Sequence, residues 1–124
     1  MSFAPLSFKA GAVISAYRIV KMDSTANTVV VGAASTDKLL GVTQDDVIAT
    51  GDAIPVITGG LAKVIFNDSC AVGGWVTTNT LGAGIPAVAT TAGIYVIGQL
   101  VGPAIQATGA VGEVNIQPFQ FQIP

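Results

Sequence analysis

Apolar residues in this chain recur at alternate positions or in short runs, and no long segment repeats them at the three-and-four spacing of an amphipathic helix. Val, Ile and Thr crowd the intervals between glycines, as they do in strands. The pattern predicts an all-β fold. Strands are expected near Tyr17–Lys21, Thr28–Gly32, Leu39–Thr43, Ala53–Thr58, Leu61–Phe66, Trp75–Thr78, Ile85–Ala89, Ile94–Leu100 and Glu113–Gln117, with a further one at Phe119–Ile123. Turn-forming clusters separate them: Asp23 to Asn27, Gln44-Asp45-Asp46, Gly59-Gly60, Asn67-Asp68-Ser69 and Asn79 to Gly84. Short strands at this spacing point to a small β-barrel or β-sandwich. Pro55 and Pro86 fall inside predicted strands, where a residue without an N–H suits an edge or a bulge.

The pattern is written twice. Leu39 to Thr58 (LLGVTQDDVIATGDAIPVIT) and Tyr95 to Gln117 (YVIGQLVGPAIQATGAVGEVNIQ) share an apolar pair before Gly, an Ala- and Thr-rich loop, and Gly with an acid before a strand. Pairing Gly11 with Gly73, Gly41 with Gly98 and Gly51 with Gly112 gives offsets of 62, 57 and 61 residues. Two similar β units, residues 6–58 and 68–117, are therefore expected, joined by Gly59-Gly60 and the Leu61–Phe66 strand. Coincidence among fifteen glycines is the alternative. The domain plan is one β domain over residues 10–118, an N-terminal arm over 1–9 and a C-terminal arm over 119–124.

Composition fits one domain of 124 residues with a core of its own. Apolar residues make up 51% and charged ones 10%, far below the usual quarter, so the chain folds with a charge-poor surface. No Asp, Glu, Lys or Arg occurs between Asp68 and Glu113, yet glycines, Thr and Asn break that stretch before any apolar run reaches about 20 residues. No membrane span is expected. The opening MSFAPLSFKAG has neither a cationic start nor a long apolar stretch, so synthesis in a cytoplasm without a signal peptide is the expectation. Five basic residues scattered over the chain at net charge −2 make no phosphate-binding cluster, which sets nucleic acid aside.

A search for chemistry returns little. The chain has no His, which removes the commonest general base near neutrality and most catalytic zinc arrangements. No nucleophile elbow, phosphate-cradling glycine loop or zinc-protease motif is present. Asp45, Asp46 and Asp52 lack the alternating ligand spacing of a calcium loop and read as solvated turn acids. Lys21 in VKMD has a distant likeness to the lysine of biotin or lipoate carriers, in an incomplete context, and otherwise reads as a strand-end lysine. Cys70 is the only cysteine and reads as a small buried apolar residue. Trp75, Tyr17 and Tyr95 read as core residues, with Trp75 an anchor for sugars or partners if it proves exposed. No enzyme, metal or cofactor is expected.

Four of the five phenylalanines lie near the chain ends: Phe3, Phe8, Phe119 and Phe121. In PFQFQIP, Phe119, Phe121 and Ile123 alternate with Gln and form one apolar face; in SFAPLSF, Phe3, Leu6 and Phe8 surround Pro5 in what reads as an extended arm. Apolar termini are tied down either on their own domain or on another chain, and the charge-poor composition favours the second.

Three stretches together, LSFKAGAVISAYRIVKMD, KLLGVTQDDVIATGDAIPVITGGLAKV and YVIGQLVGPAIQATGAVGEVNIQP, resemble the capsid cement or head decoration proteins of tailed bacteriophages, of the DUF2190 type. The resemblance covers about Leu6 to Pro118. It implies a small β-barrel or sandwich that assembles, commonly as a homotrimer, on three-fold positions of an icosahedral head and bridges neighbouring major capsid proteins from outside. It brings no catalytic residues. Onto that frame we place Phe3, Leu6 and Phe8 as capsid-binding residues and Phe119, Phe121 and Ile123 as the subunit interface. The competing reading is a virion-surface module that holds host glycans through Trp75 and the Asn79–Gly84 loop.

Overall fold

A computed structural model describes residues 6–34, 37–46, 50–87 and 94–120, of which Leu6 and residues 118–120 are described by backbone alone. Ten strands and no helix form in these segments: β1 (Leu6–Ala10), β2 (Ile19–Met22), β3 (Thr28–Val31), β4 (Leu39–Thr43), β5 (Ala53–Ile57), β6 (Gly60–Ile65), β7 (Trp75–Thr78), β8 (Gly84–Pro86), β9 (Tyr95–Gly102) and β10 (Val111–Gln120). The first five close into a barrel in the order β1-β3-β2-β4-β5, and the last five form a sheet in the order β6-β10-β9-β7-β8.

The two units repeat one plan. Antiparallel pairs β1/β5, β4/β5, β2/β4 and β2/β3 reappear as β6/β10, β9/β10, β7/β9 and β7/β8. The parallel β1/β3 pair that closes the barrel has its counterpart in a single parallel bridge, Phe66 to Gly84, which brings the edges of the second sheet together. Loop hydrogen bonds repeat as well. Tyr17 N donates to Thr43 O (2.8 Å) as Gly73 N does to Leu100 O (2.7 Å), and Gly51 N donates to Ala10 O (2.8 Å) as Gly109 N does to Phe66 O (2.7 Å). Left-handed residues recur with them, Tyr17 (φ 64°) with Gly73 (85°), Asn27 (59°) with Gly82 (76°) and Gly51 (93°) with Gly109 (90°).

These equivalences run at offsets of 55 to 58 residues and correct two of the expected glycine pairs. Gly73 answers Tyr17, not Gly11, and Gly51 answers Gly109, not Gly112. Gly41 and Gly98 do correspond. A Cβ on Gly41 would collide with the carbonyl oxygen of Ile57, and one on Gly98 with that of Asn115, the matching residue of β10. Close approach of neighbouring backbone therefore explains the glycine at both positions.

Two cores result. The barrel encloses Ala10, Ile14, Val20, Val29, Ile54 and Val56. The second core joins the units, since Ile19, Leu39 and Val42 of the barrel pack with Val64, Phe66, Val76, Ile97, Leu100, Val114 and Ile116. Each of these fully buried side chains contributes about 1.5–3 kcal/mol, so the shared cluster binds the units more strongly than the few hydrogen bonds between them. Adjacent residues Ile19 and Val20 of β2 enter different cores, as the two faces of a strand require.

Leu6 to Lys9, expected in an arm, belong to β1 instead. Ala10 is buried, Phe8 is half-buried against the barrel core, and Ser7 and Lys9 between them are exposed, which is the alternation of an ordinary strand. Residues 119 and 120, assigned to the other arm, continue β10 past a register shift between Ile116 and Phe119. That shift contains Pro118, which has no ladder donor and fits a bulge. Pro86 lies on the edge strand β8 as expected, and Pro55 lies opposite Ser7 of β1 with no register partner on β4.

Candidate functional site

The first described residue and the path of β10 come close together. Leu6 lies opposite Val56 of β5, and Ile116 lies opposite Gly60 at the start of β6, so both flank the short β5–β6 connection. Val56 and Gly60 are four residues apart, at most about 13 Å of extended chain. Of the six residues expected to dock, the backbones of Leu6 and Phe119 pair with Val56 and Val96, while Phe8 pairs with Ile54 and packs against the barrel core. Phe8 is therefore in part the barrel's own filling. Phe3, Phe121 and Ile123 lie outside the described residues.

An exposed apolar surface lies at the far end of β9, an eight-residue strand and so about 23 Å from Tyr95 beside Gln120. There Val72 (58% exposed) and Val101 (51%) stand with exposed Ala71, Pro103 and Ala104, held together by the Gly73 N to Leu100 O bond and the Cys70–Ile105 bridge. Sequence reasoning passed over these residues. The signal for them was the stretch from Asp68 to Glu113, empty of charge, which was read only for what it said about membranes.

The remaining chemical possibilities find their residues engaged. Lys21 sits within the β2 ladder opposite Val30, and its Nζ lies 3.0 Å from Asp37 Oδ2. That oxygen also accepts from Ala33 N (2.9 Å) and Ala34 N (3.0 Å). Burial raises the Asp37 pKa, but the Ala33 N–H, Lys21 and the Ala34 N–H outweigh it and hold the carboxyl below its ordinary value. The pair lines an open cleft of about 560 Å³ with Met22, Lys38, Leu39 and Leu40. Asp46 Oδ1 accepts from Ala16 N at 2.6 Å, serving as a turn cap. Cys70 is buried, and burial first, then the charge of Asp68, pushes its thiol pKa up and keeps it protonated near neutrality. Trp75 is half-buried at the start of β7, whereas the Asn79 loop follows the strand's other end, three residues or about 10 Å away. In that loop Asn79 Oδ1 accepts from Leu81 N and Ala83 N, both at 2.9 Å, so its amide oxygen holds the turn.

The fold so defined is a tandem duplication of a five-stranded β unit, with an exposed apolar corner around Val72 and Val101. No protein-family model matches the sequence, and neither does any curated protein. Among solved structures the chain is similar to the head fiber gp8.5 N base of bacteriophage phi29, with a TM-score of 0.69, covering 94% of this chain and 95% of that one. At 20% identity the likeness is one of fold.

Proposed function

We propose that this protein is a structural virion protein that decorates the outside of an icosahedral phage head, as a homotrimer at three-fold positions, and stabilises the head by bridging neighbouring major capsid proteins. The observation that carries the reading is the fold likeness, end to end over both chains, to the base of a phage head fiber.

The work of such a protein is mechanical. Apolar side chains that find cover only in the assembled shell add stability by mass action, because whatever binds the closed shell and not its separated parts shifts the balance towards the shell. Each buried Phe contributes about 1.5–3 kcal/mol, so Phe3 with Leu6 on the capsid, and Phe119, Phe121 and Ile123 between subunits, suffice without help from charge. Leu6 and Ile116 flank the same β5–β6 connection, which suits a single face that carries both sets of contacts.

The test is co-sedimentation of the purified protein with heads that lack it. Truncation should stop at Pro5, since Leu6 and Ser7 pair with Val56 and Pro55. A variant lacking residues 1–5 should keep its circular dichroism spectrum and lose at least about tenfold in affinity for heads, the scale of one interface anchor. Full binding by that variant would remove the N-terminal segment from the capsid contact.

A further inference from the structure

The duplication permits a comparison that neither unit allows alone. In the barrel, the corner formed by Ser15, Ala16, Tyr17, Gln44 and Asp46 is where the second unit is held. Gln44 Nε2 donates to Lys63 O at 3.0 Å, Gln44 Oε1 accepts from Lys63 N at 3.2 Å, and Tyr17 O accepts from Ile65 N at 3.0 Å. Asp46 closes the corner by capping Ala16 N. Carried through the matched bonds of Tyr17 and Gly73, the same corner of the second unit consists of Ala71, Val72, Gly73, Val101 and Pro103.

Two things change between the corners. Every side chain that made the first corner polar is replaced, Gln44 by Val101, Asp46 by Pro103, Ser15 by Ala71, and Ala16 by the larger Val72. And the second corner is open: among the described residues no strand lies on it as β6 lies on the first, and Val72 and Val101 are more than half exposed. Exposed valines at a position where the twin unit makes a half-buried contact with its neighbour are the mark of an interface.

We propose that the Val72–Val101–Pro103 corner binds a second copy of this chain. The contact that the first corner makes is with another unit of the same fold, and another copy supplies such a unit. The corner carries no Asp, Glu, Lys or Arg, so a second copy can cover it without desolvating an ion of the corner. Five small side chains form only the centre of an interface, and a contact well under the standard of about 800 Å² per partner associates in the micromolar range. This contact needs no capsid, and it lies at the end of β9 away from Gln120, so one subunit can hold its neighbour and a shell at once.

The experiment is sedimentation equilibrium of the full chain without heads, from about 1 to 500 μM, a range that brackets micromolar association. We expect the mass to rise above that of the monomer with concentration, and the double variant V72D/V101D to need at least about thirtyfold higher concentration for the same rise. V13D, a charge placed at an equally exposed valine of the barrel, should associate as the parent does. Should the double variant fail to fold, Val101→Gln, which installs the first unit's residue, should still weaken association while keeping the parent's melting temperature. A parent that is monomeric throughout, a folded corner variant that assembles like the parent, or a V13D variant that loses assembly equally would each overturn the proposal. Corner variants that lose only head binding, with self-association intact, would overturn it too and assign the surface to a shell protein.

Discussion

The barrel and the second sheet share one backbone plan and differ in almost everything that faces water. Nine of the twelve charged residues lie in the barrel, including Lys9, Arg18, Lys21 and Lys38, while the second unit keeps only Lys63, Asp68 and Glu113. The interiors differ as well: Ala10 in the barrel and Phe66 in the sheet occupy matched positions, each about 1% exposed. A wide ring where the barrel has a methyl goes with the looser closure of the second unit, a single bridge against a two-residue parallel pair. What the duplication preserves is turn geometry and strand pairing. Side-chain bulk and surface charge vary freely around that frame, and two copies of one plan can then serve as a solvated body and a neutral contact surface.

The largest expected effect concerns Phe66. Its ring lies against Gly84 and Gly112, and Phe66→Ala should cost about 3–5 kcal/mol in urea unfolding. Because Ile19, Leu39 and Val42 tie the barrel into the same core, the loss should appear as one transition, with Trp75 fluorescence and far-ultraviolet circular dichroism coinciding. Separated transitions would show that the units fold independently, and the comparison would then be between two domains.

Next in size is the matched glycine pair. Gly41→Ala and Gly98→Ala each press a methyl group onto a neighbouring strand's carbonyl oxygen, that of Ile57 or of Asn115, and each should cost about 1–3 kcal/mol or more. Equal losses sharpen the equivalence of the units. A neutral result at either site would mean that the strand pair there relaxes, and that the glycine is not required by the plan.

Much of this architecture was legible in the chain. Leu39–Thr43 and Trp75–Thr78 were placed to the residue, because β-branched residues between strong turn signals leave little choice of boundary. The first strand was missed although Leu6, Phe8 and Ala10 alternate with Ser7 and Lys9; aromatic residues near Pro5 read as an arm, and nothing local announces a partner near position 55. The repeat was visible but misregistered, since the left-handed position that is Gly73 in one unit is Tyr17 in the other, and a tyrosine gives no sign of a positive φ. The open corner at Val72 and Val101 was signalled only by the charge-free interval around it. Exposure of a valine is decided by which strand lies over it, and only the folded twin reveals that one is lacking.

The smallest effect separates the units by pH. Asp37 has a folded pKa below its ordinary value, so it contributes stability that is complete above about pH 4 and is lost as pH falls through the folded pKa. With Lys21 and Asp37 both partly exposed, the contribution should stay under about 1 kcal/mol. Asp37→Asn should flatten the acid limb of the stability curve below pH 4 and leave stability slightly lower at pH 7. An unchanged acid limb would deny the ion pair any role in holding the loop before β4.

The central claim is that this chain is a clamp for a phage head, and the mass of heads measured with and without it tests that directly. Heads lacking the protein should gain mass saturably, to a fixed number of copies, and disassemble at a higher temperature once saturated. Heads that gain no mass, or gain it without a limit and without added stability, would contradict the account.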